Sequence, residues 1–295
     1  MTGDLKAGVM GWPVAHSLSP VLHGHWLARY GIAGSYEAIP VEPEDLRAAL
    51  TKLGENGFRG VNLTVPHKEA ALDVVGSIDD TARRIGAVNT IIVGNDGALS
   101  ATNTDAYGLI ENIRAGAGAA LEAQFGGRPA VILGAGGAAR AAVVGLVDAG
   151  VAEIRIVNRT VARAEALSDL VGTTGACVSA HGWDDAADAL TDVGLLINTS
   201  TLGMAGQPPL RLDLARLPGD AVVNDIVYAP LETELLAAAR ARGNIVIDGL
   251  GMLLHQARAG FHAWFGVDPA VGEDLRAAVL RARESQDAAK GGSRP

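Results

Sequence analysis

The amino-acid sequence predicts an α/β protein of two domains, the second built on a doubly wound parallel sheet. The first observation is an apolar run at residues 130–133 that leads into Gly134 and Gly136 and then into small residues of helical character. The second is a regular alternation of strand and helix patterns that continues to about residue 247. The third is a separate strand–helix alternation over the first hundred residues. Together these patterns predict an N-terminal α/β domain followed by a Rossmann-like domain.

The two alternating stretches also set the predicted domain boundaries. Residues 1–104 form the first domain, and residues 105–248 form the second, with a long helix opening at Asp105. Two helical segments within 249–284 are predicted to pack back on the first domain and complete it. Residues 285–295 are rich in Gly, Ser and Ala with isolated charges, which predicts a disordered tail.

Local signals place the individual elements. Ser19 is predicted as an N-cap with Pro20 as the first helical residue, and Gly31 ends that helix. Asn95-Asp96-Gly97 predicts a hairpin turn. The strands of the first domain are predicted at residues 6–11, 35–40, 58–63, 88–93 and 98–102. The strands of the second domain are predicted at residues 130–133, 153–157, 176–179, 194–197, 221–225 and 244–247.

Composition narrows the possible partners. A net charge of −9 at pH 7 argues against a basic face for nucleic acid or an anionic membrane. The sequence shows no signal-peptide pattern and no apolar run of membrane-spanning length. The single cysteine, Cys177, excludes an internal disulfide framework and is expected in the core. We therefore expect a cytoplasmic protein, a monomer or homodimer, that binds small molecules and no metal.

The glycine-rich turn indicates dinucleotide binding. Gly134 and Gly136 allow the turn to close and the backbone to approach a pyrophosphate, and the first amides of the following helix can hold the phosphates. The predicted cofactor-binding residues of this turn are Gly134, Ala135, Gly136, Gly137 and Ala138.

The end of the next strand favours NADP over NAD. An NAD site usually has Asp or Glu there to bind the ribose hydroxyls, whereas this chain has Asn158, Arg159 and Thr160, with Arg163 one helical turn after Arg159. A guanidinium pairs with a 2′-phosphate that a carboxylate would repel. The alternative is that both arginines are solvated charges.

The first domain carries candidates for catalysis. A dinucleotide-binding domain implies hydride transfer, and reduction of a carbonyl group by NADPH needs a proton donor beside the carbonyl oxygen. Lys68 is the candidate donor, with Asp105 as its orienting partner. Only four of the 24 basic residues are lysines, and Lys, unlike Arg, can release a proton near neutral pH. A short-chain dehydrogenase is excluded because no tyrosine is followed four residues later by lysine.

With these motifs in order, the chain resembles the NADP-dependent shikimate dehydrogenase family, which belongs with the shikimate/quinate dehydrogenases. The matching segments are residues 11–20, 62–68, 87–90, 103–105, 134–140, 158–160, 198–204 and 249–256. The resemblance implies reversible NADPH-dependent reduction of 3-dehydroshikimate to shikimate in aromatic amino-acid biosynthesis. Two departures, Gly24 and Ala101, stand where the family often has Asn and Gly, and neither position is expected to carry chemistry.

The resemblance also implies roles for particular residues. Lys68 and Asp105 would be the catalytic pair, and Ser17 and Ser19 would bind the substrate carboxylate. The other substrate-binding residues would be Asn62, Thr64, Asn89, Tyr228 and Gln256. The cofactor side would add Asn158, Arg159, Thr160 and Arg163 around the 2′-phosphate, and Thr199, Met204, Ile226, Gly249 and Met252.

Two alternatives stay open at this point. One is a dual enzyme that also accepts quinate, which differs from shikimate by ring saturation and a hydroxyl. The other is a non-catalytic NADP-binding sensor on the same fold, against which the presence of both Lys68 and Asp105 argues.

Overall fold

The computed structural model describes residues 5–118 and 127–291. Contacts within the chain divide it into two compact units. The first unit contains the residues up to Thr104 and from Gln256 onward, and the second contains Asp105–His255. No helix among the described residues is long and apolar enough to cross a membrane.

The first unit is built on a six-stranded mixed sheet with the order β2-β1-β3-β5-β6-β4. Its strands are β1 Leu5–Gly11, β2 Gly34–Pro40, β3 Phe58–Leu63, β4 Ser77–Ile78, β5 Thr90–Val93 and β6 Leu99–Thr102. Strand β1 pairs in parallel with β2 and β3, whereas β5 is antiparallel to both β3 and β6. The predicted hairpin is confirmed, since Gly97 has a left-handed φ of 81° and the Gly94 N–H donates to the Ala98 carbonyl.

Helices cover this sheet and bury its apolar side chains. The first unit contains α1 Ser19–Tyr30, α2 Leu46–Thr51, α3 His67–Ala70 and α4 Asp80–Ile85. One core cluster joins Leu50 and Leu53 to Val61, Leu63 and Ile91 of the sheet. Burying a side chain of that size contributes roughly 1.5–3 kcal/mol.

The second unit is a parallel sheet with the order β12-β11-β10-β7-β8-β9, which is the doubly wound topology that the sequence predicted. Its strands are β7 Ala130–Leu133, β8 Glu153–Val157, β9 Cys177–His181, β10 Leu195–Asn198, β11 Val222–Asp225 and β12 Ile245–Ile247. Its helices are α5 Asp105–Ala117, α6 Gly137–Asp148, α7 Val161–Glu165, α8 Ala186–Ala189 and α9 Glu234–Ala241. Helices therefore alternate with strands as predicted, except between β10 and β11, which no helix among the described residues separates.

Strand β7 shows how the second unit fills both faces of its sheet. Ala130 and Ile132 belong to one core cluster, whereas Val131 and Leu133 belong to another. Successive side chains of a strand point to opposite faces, so a strand covered on both sides must be apolar throughout. This explains the uninterrupted apolar run ahead of the glycine turn.

Two further helices end the chain, α10 Leu250–Phe265 and α11 Glu273–Gly291. The sequence set the return to the first domain at residue 249, but the boundary falls inside α10, at Gln256. The first turn of α10 packs on the second unit, where a Cβ on Gly251 would lie 1.8 Å from Asn112 Oδ1.

Three local predictions are corrected. Ser19 is not the N-cap of α1, because Leu18 occupies that position without a side-chain cap. Cys177, expected in the core, is exposed at the start of an edge strand. Residues 285–291, predicted to be disordered, continue α11, since a run of Ala and charged residues also has good helix propensity. The rest of the predicted tail, 292–295, lies outside the described residues.

Candidate active site

The glycine turn after β7 has the backbone that the sequence predicted. Gly134 has a left-handed φ of 105°, and a Cβ there would lie 3.0 Å from Thr199 Oγ1. Thr199 is fixed in place because its N–H and its hydroxyl both donate to the Leu133 carbonyl, at 2.9 and 2.8 Å. The turn therefore requires glycine on both conformational and steric grounds.

Helix α6 begins directly after this turn with an uncapped N-terminus. Gly136 is its N-cap in an extended conformation and supplies no side chain to cap the helix. A Cβ on Gly136 or on Gly137 would meet no atom within 4 Å, so open space lies in front of the first amides. Ala135 and Ala138 are half-buried beside it. The turn can accommodate a pyrophosphate at the positive end of a 12-residue helix.

The end of β8 leaves two guanidinium groups in solvent. Arg159 and Arg163 are exposed and form no ion pair with another described residue. Asn158 shapes the turn before α7, since its Nδ2 donates to the Thr160 carbonyl at 2.8 Å. Both arginines can therefore pair with an added phosphate without breaking an existing ion pair.

A buried carboxylate that was not predicted from the sequence joins two loops at the ends of β10 and β11. Asp225 Oδ1 accepts from Asn198 Nδ2 at 2.9 Å and from the Val227 N–H at 3.0 Å, and Oδ2 accepts from Thr233 Oγ1 at 2.7 Å. Burial raises the pKa of Asp225, although these three hydrogen bonds oppose the shift. The network holds the loop after β10 against the loop after β11.

Of the predicted cofactor-binding residues, Met204 lies in the loop after β10 and Ile226 in the loop after β11, whereas Gly249 and Met252 follow β12. The N–H of Ala205, which follows Met204, donates at 2.7 Å to the carbonyl of Ala229, which follows Tyr228. A Cβ on Gly249 would lie 2.0 Å from the Ile226 carbonyl oxygen, so only glycine fits there. Ile226 and Met252 both pack against the same core cluster. The structure thus brings Ile226 and Gly249 into contact, and Met252 follows Gly249 in the first turn of α10.

In the first unit, the predicted substrate-binding amides belong to one buried hydrogen-bond network. The Tyr36 hydroxyl donates to Asn62 Oδ1 at 2.6 Å, and Asn62 Nδ2 donates to Thr90 Oγ1 at 3.0 Å and to the Asn89 carbonyl at 3.1 Å. Thr90 Oγ1 then donates to Asn89 Oδ1 at 2.9 Å. Both N–H groups of Asn62 are used, so this residue supports Asn89 and has little left to offer a ligand.

Tyr36 begins this network from inside an aromatic cluster. The His23 ring stacks on the Tyr36 ring with centroids 3.8 Å apart, and Ser19 also hydrogen bonds to the Tyr36 side chain. Burial lowers the pKa of His23 to about 3 and raises that of Tyr36 well above its ordinary value. Both groups are therefore neutral near pH 7, and Tyr36 remains a hydrogen-bond donor.

Lys68 is tied to the same region by its backbone. It lies half-buried in α3, and its carbonyl accepts from the Val88 N–H at 2.8 Å, one residue before Asn89. His67, an alternative acid, is buried with Nε2 2.9 Å from the Val41 carbonyl, so its ring is already engaged. The Thr64 N–H donates to the Met10 carbonyl at 2.9 Å, which ties Thr64 to β1.

The remaining predicted residues are placed as follows. Ser17 is half-buried, and its Oγ accepts from the Ser19 N–H at 3.3 Å. Asp105, the first residue of α5, and Tyr228 both belong to the second unit. Their proximity to the predicted substrate-binding residues of the first unit therefore stays a prediction. Within the described residues, no group of three His, Cys, Asp or Glu side chains could hold a metal ion.

Comparisons with known proteins follow the same division of the chain. Residues 9–91 match the model of the shikimate dehydrogenase substrate binding domain. Residues 117–203 match the shikimate/quinate 5-dehydrogenase model, and residues 249–279 match the shikimate 5′-dehydrogenase C-terminal domain. The shikimate dehydrogenase (NADP(+)) of Paramagnetospirillum magneticum is 55% identical over 281 residues, which cover 95% of this chain and 100% of the relative. The chain belongs to the shikimate dehydrogenase family.

Solved structures of this family share the fold. The shikimate 5-dehydrogenase of Thermus thermophilus, in complex with NADP(H) and shikimate, aligns with a TM-score of 0.81 at 37% identity, covering 94% of this chain and 99% of that one. The quinate dehydrogenase of Corynebacterium glutamicum, in complex with NAD, aligns with a TM-score of 0.83 at 30% identity, covering 97% and 99%. The predicted two-domain Rossmann-like architecture is confirmed.

Proposed function

We propose that this chain is an enzyme that catalyses the reversible NADPH-dependent reduction of 3-dehydroshikimate to shikimate, in the shikimate pathway of aromatic amino-acid biosynthesis. The observation that carries this proposal is the 55% identity over 281 residues to a relative named shikimate dehydrogenase (NADP(+)). The chain has both candidate catalytic residues, Lys68 and Asp105, and a polar network that suits a small polyhydroxylated acid.

The first unit binds the substrate in this proposal. The residues up to Thr104, completed by those from Gln256 onward, supply the substrate domain. Ser17 and Ser19 bind the carboxylate, and Thr64, Asn89 and Gln256 bind ring oxygens, with Tyr228 facing the substrate from the second domain. Asn62 acts through Asn89, because its own N–H groups are already engaged.

Lys68 is the proton donor and acceptor. NADPH, when bound, supplies the hydride that reduces the ketone carbon, and NADP⁺ takes it back in the reverse reaction. The Lys68 ammonium donates a proton to the ketone oxygen as that oxygen becomes a hydroxyl, and the neutral amine recovers the proton in the other direction. The Asp105 carboxylate accepts a hydrogen bond and acts as the orienting partner of Lys68.

Residues 105–248 hold the cofactor. The open N-terminus of α6 binds the pyrophosphate, and Arg159 and Arg163 pair with the 2′-phosphate. NAD lacks that phosphate, so both arginines would stay solvated in its complex. We further propose a cytoplasmic enzyme that works as a monomer or homodimer without a nucleic-acid or membrane partner.

The test is absorbance at the reduced-nicotinamide band, with shikimate or quinate supplied together with NADP or NAD in four separate reactions. The proposal expects reduction of NADP with shikimate to exceed the other three combinations clearly. Comparable rates with quinate would favour the dual enzyme, for which the quinate dehydrogenase structure is a precedent in fold. No turnover in any reaction, with NADP still bound, would replace the proposal with the sensor.

A further inference from the structure

The polar network of the first unit ends at Thr104, a buried residue that lies directly before Asp105 and was given no role by the sequence. Three donors lie within hydrogen-bond distance of Asn89 Oδ1: the Thr104 N–H at 2.9 Å, Thr90 Oγ1 at 2.9 Å and Thr104 Oγ1 at 3.1 Å. Thr104 Oγ1 also lies 3.2 Å from Gln256 Oε1. One residue therefore touches two of the proposed substrate-binding amides.

The main chain decides which way the Asn89 amide is turned. A backbone N–H can only donate, so the Asn89 atom that the Thr104 N–H contacts must be the oxygen. The Asn62 amide is oriented in the same way. The main-chain carbonyl oxygen of Asn89 can only accept, so the Asn62 side-chain atom that faces it must be nitrogen. These two backbone groups fix the direction of every hydrogen bond between Tyr36 and Asn89.

The hydroxyl hydrogen of Thr104 is then left for Gln256. A carbonyl oxygen has two lone pairs, and those of Asn89 Oδ1 are filled by the Thr104 N–H and by Thr90 Oγ1. The single hydroxyl hydrogen of Thr104 can therefore go to Gln256 Oε1. That bond turns the NH₂ group of Gln256 away from the network, as the backbone bond does for Asn89.

We propose that Thr104 is a positioning residue that orients the side-chain amides of both Asn89 and Gln256. Its main-chain N–H fixes Asn89 and its hydroxyl fixes Gln256, so that both amides offer N–H donors to oxygen atoms of the substrate. This inference rests on the proposed function, and it adds that the substrate oxygens at these two positions act as acceptors. Without the hydroxyl, the Gln256 amide can flip and present an oxygen that repels them.

The experiment compares Thr104→Val with Thr104→Ser. Valine keeps the main-chain N–H and the volume but removes the hydroxyl, whereas serine keeps the hydroxyl. Thr104→Val should lower kcat/KM for shikimate about tenfold, mostly through KM, because one oriented hydrogen bond in the site is lost. The KM for NADP should stay unchanged, and Thr104→Ser should recover most of the shikimate kcat/KM. Thr51→Val, which removes an exposed helical hydroxyl, is the matched control.

A double-mutant cycle with Gln256→Ala separates positioning from a general structural role. If Thr104 acts through Gln256, Thr104→Val should lower kcat/KM no further once Gln256 is truncated. Additive losses, a serine variant as impaired as the valine variant, or an unchanged Thr104→Val would each overturn the inference. Should Thr104→Val fail to fold, Thr104→Ala removes the hydroxyl with less bulk and enters the same cycle. Absence of wild-type turnover with shikimate would instead reject the proposed function.

Discussion

The polar site of the first unit and the glycine turn of the second present their hydrogen-bonding groups in opposite ways. In the first unit, Asn62, Asn89 and Thr90 are buried, and their orientation is set by hydrogen bonds to main-chain groups and to one another. At the turn, Gly136 and Gly137 are exposed, and the donors are main-chain amides in front of open space. The first arrangement fixes individual atoms for a small ligand, whereas the second accepts any phosphate that can approach the helix.

The largest effect should follow removal of the proton donor in the first unit. Lys68→Ala should lower kcat by about 10²–10⁴-fold, the usual contribution of a general acid, because Lys68 delivers the proton in the proposed mechanism. Shikimate binding, measured by calorimetric titration, should be largely kept. Lys52→Ala, an exposed lysine after α2, is the control and should retain wild-type kcat. An unimpaired Lys68→Ala would remove this residue from the mechanism.

A substitution in the glycine turn should weaken NADP binding with little change in the free energy of unfolding. In Gly136→Val the added Cβ meets no atom within 4 Å and the extended backbone suits a β-branched residue, but valine is a poorer N-cap than glycine. The free energy of unfolding should therefore fall by no more than about 1 kcal/mol. The added carbons should keep the pyrophosphate from the first amides of α6 and weaken NADP binding by about tenfold or more.

The control for this prediction is Gly219→Val, another glycine whose added Cβ would meet no atom within 4 Å. It should leave both stability and NADP affinity unchanged. If Gly136→Val binds NADP as tightly as the wild type does, the open space in front of α6 is not the phosphate site.

The smallest expected effect is on the pH dependence of stability and concerns Asp225. Here the second unit, like the first, uses a buried hydrogen-bond network. Because burial raises the pKa of the folded carboxyl above its ordinary value of 3.8, the folded state binds the proton more tightly than the unfolded state does. Stability therefore falls as the pH rises from the ordinary value through the raised one, and the loss is complete above it. Asp225→Asn keeps an oxygen for Asn198 and Val227 and offers an N–H to Thr233.

Urea unfolding at several pH values measures this difference. Asp225→Asn should be at least as stable as the wild type at neutral pH, and its advantage should shrink as the pH falls towards 4. A variant advantage that grows on acidification would contradict the assigned direction of the pKa. Asp225→Ala is the contrasting variant and should be less stable at every pH, since it leaves buried donors without an acceptor.

The second unit could be predicted well from the sequence because its signals are local. Most of its strands contain a short apolar stretch, and the glycine turn follows β7 in the chain, so both the sheet and the position of Gly134 were confirmed. The hairpin between β5 and β6 was found for the same reason. Local signals failed at residues 285–291, where composition alone does not distinguish an exposed helix from a disordered tail.

The buried networks could not be predicted because they join residues far apart in sequence. Tyr36 meets Asn62 across the sheet, and Thr104 meets Gln256 from 152 positions away. No spacing rule connects such pairs. The sequence predicted Asn62 as a substrate-binding residue, which stays a prediction, and it did not reveal that both Asn62 N–H groups bond to Asn89 and Thr90. Asp225 was also missed, because its partner Asn198 lies 27 positions away and no local motif marks the contact.

One measurement tests most directly the claim that the two units serve different ligands: calorimetric titration of Gln256→Ala and Arg159→Ala with shikimate alone, with NADP alone and with NAD alone. The account predicts a crossed result. Gln256→Ala should weaken shikimate about tenfold and leave NADP unchanged, and Arg159→Ala should weaken NADP by about tenfold or more and leave shikimate and NAD unchanged. Equal weakening of both ligands in either variant would contradict the division of roles between the two units.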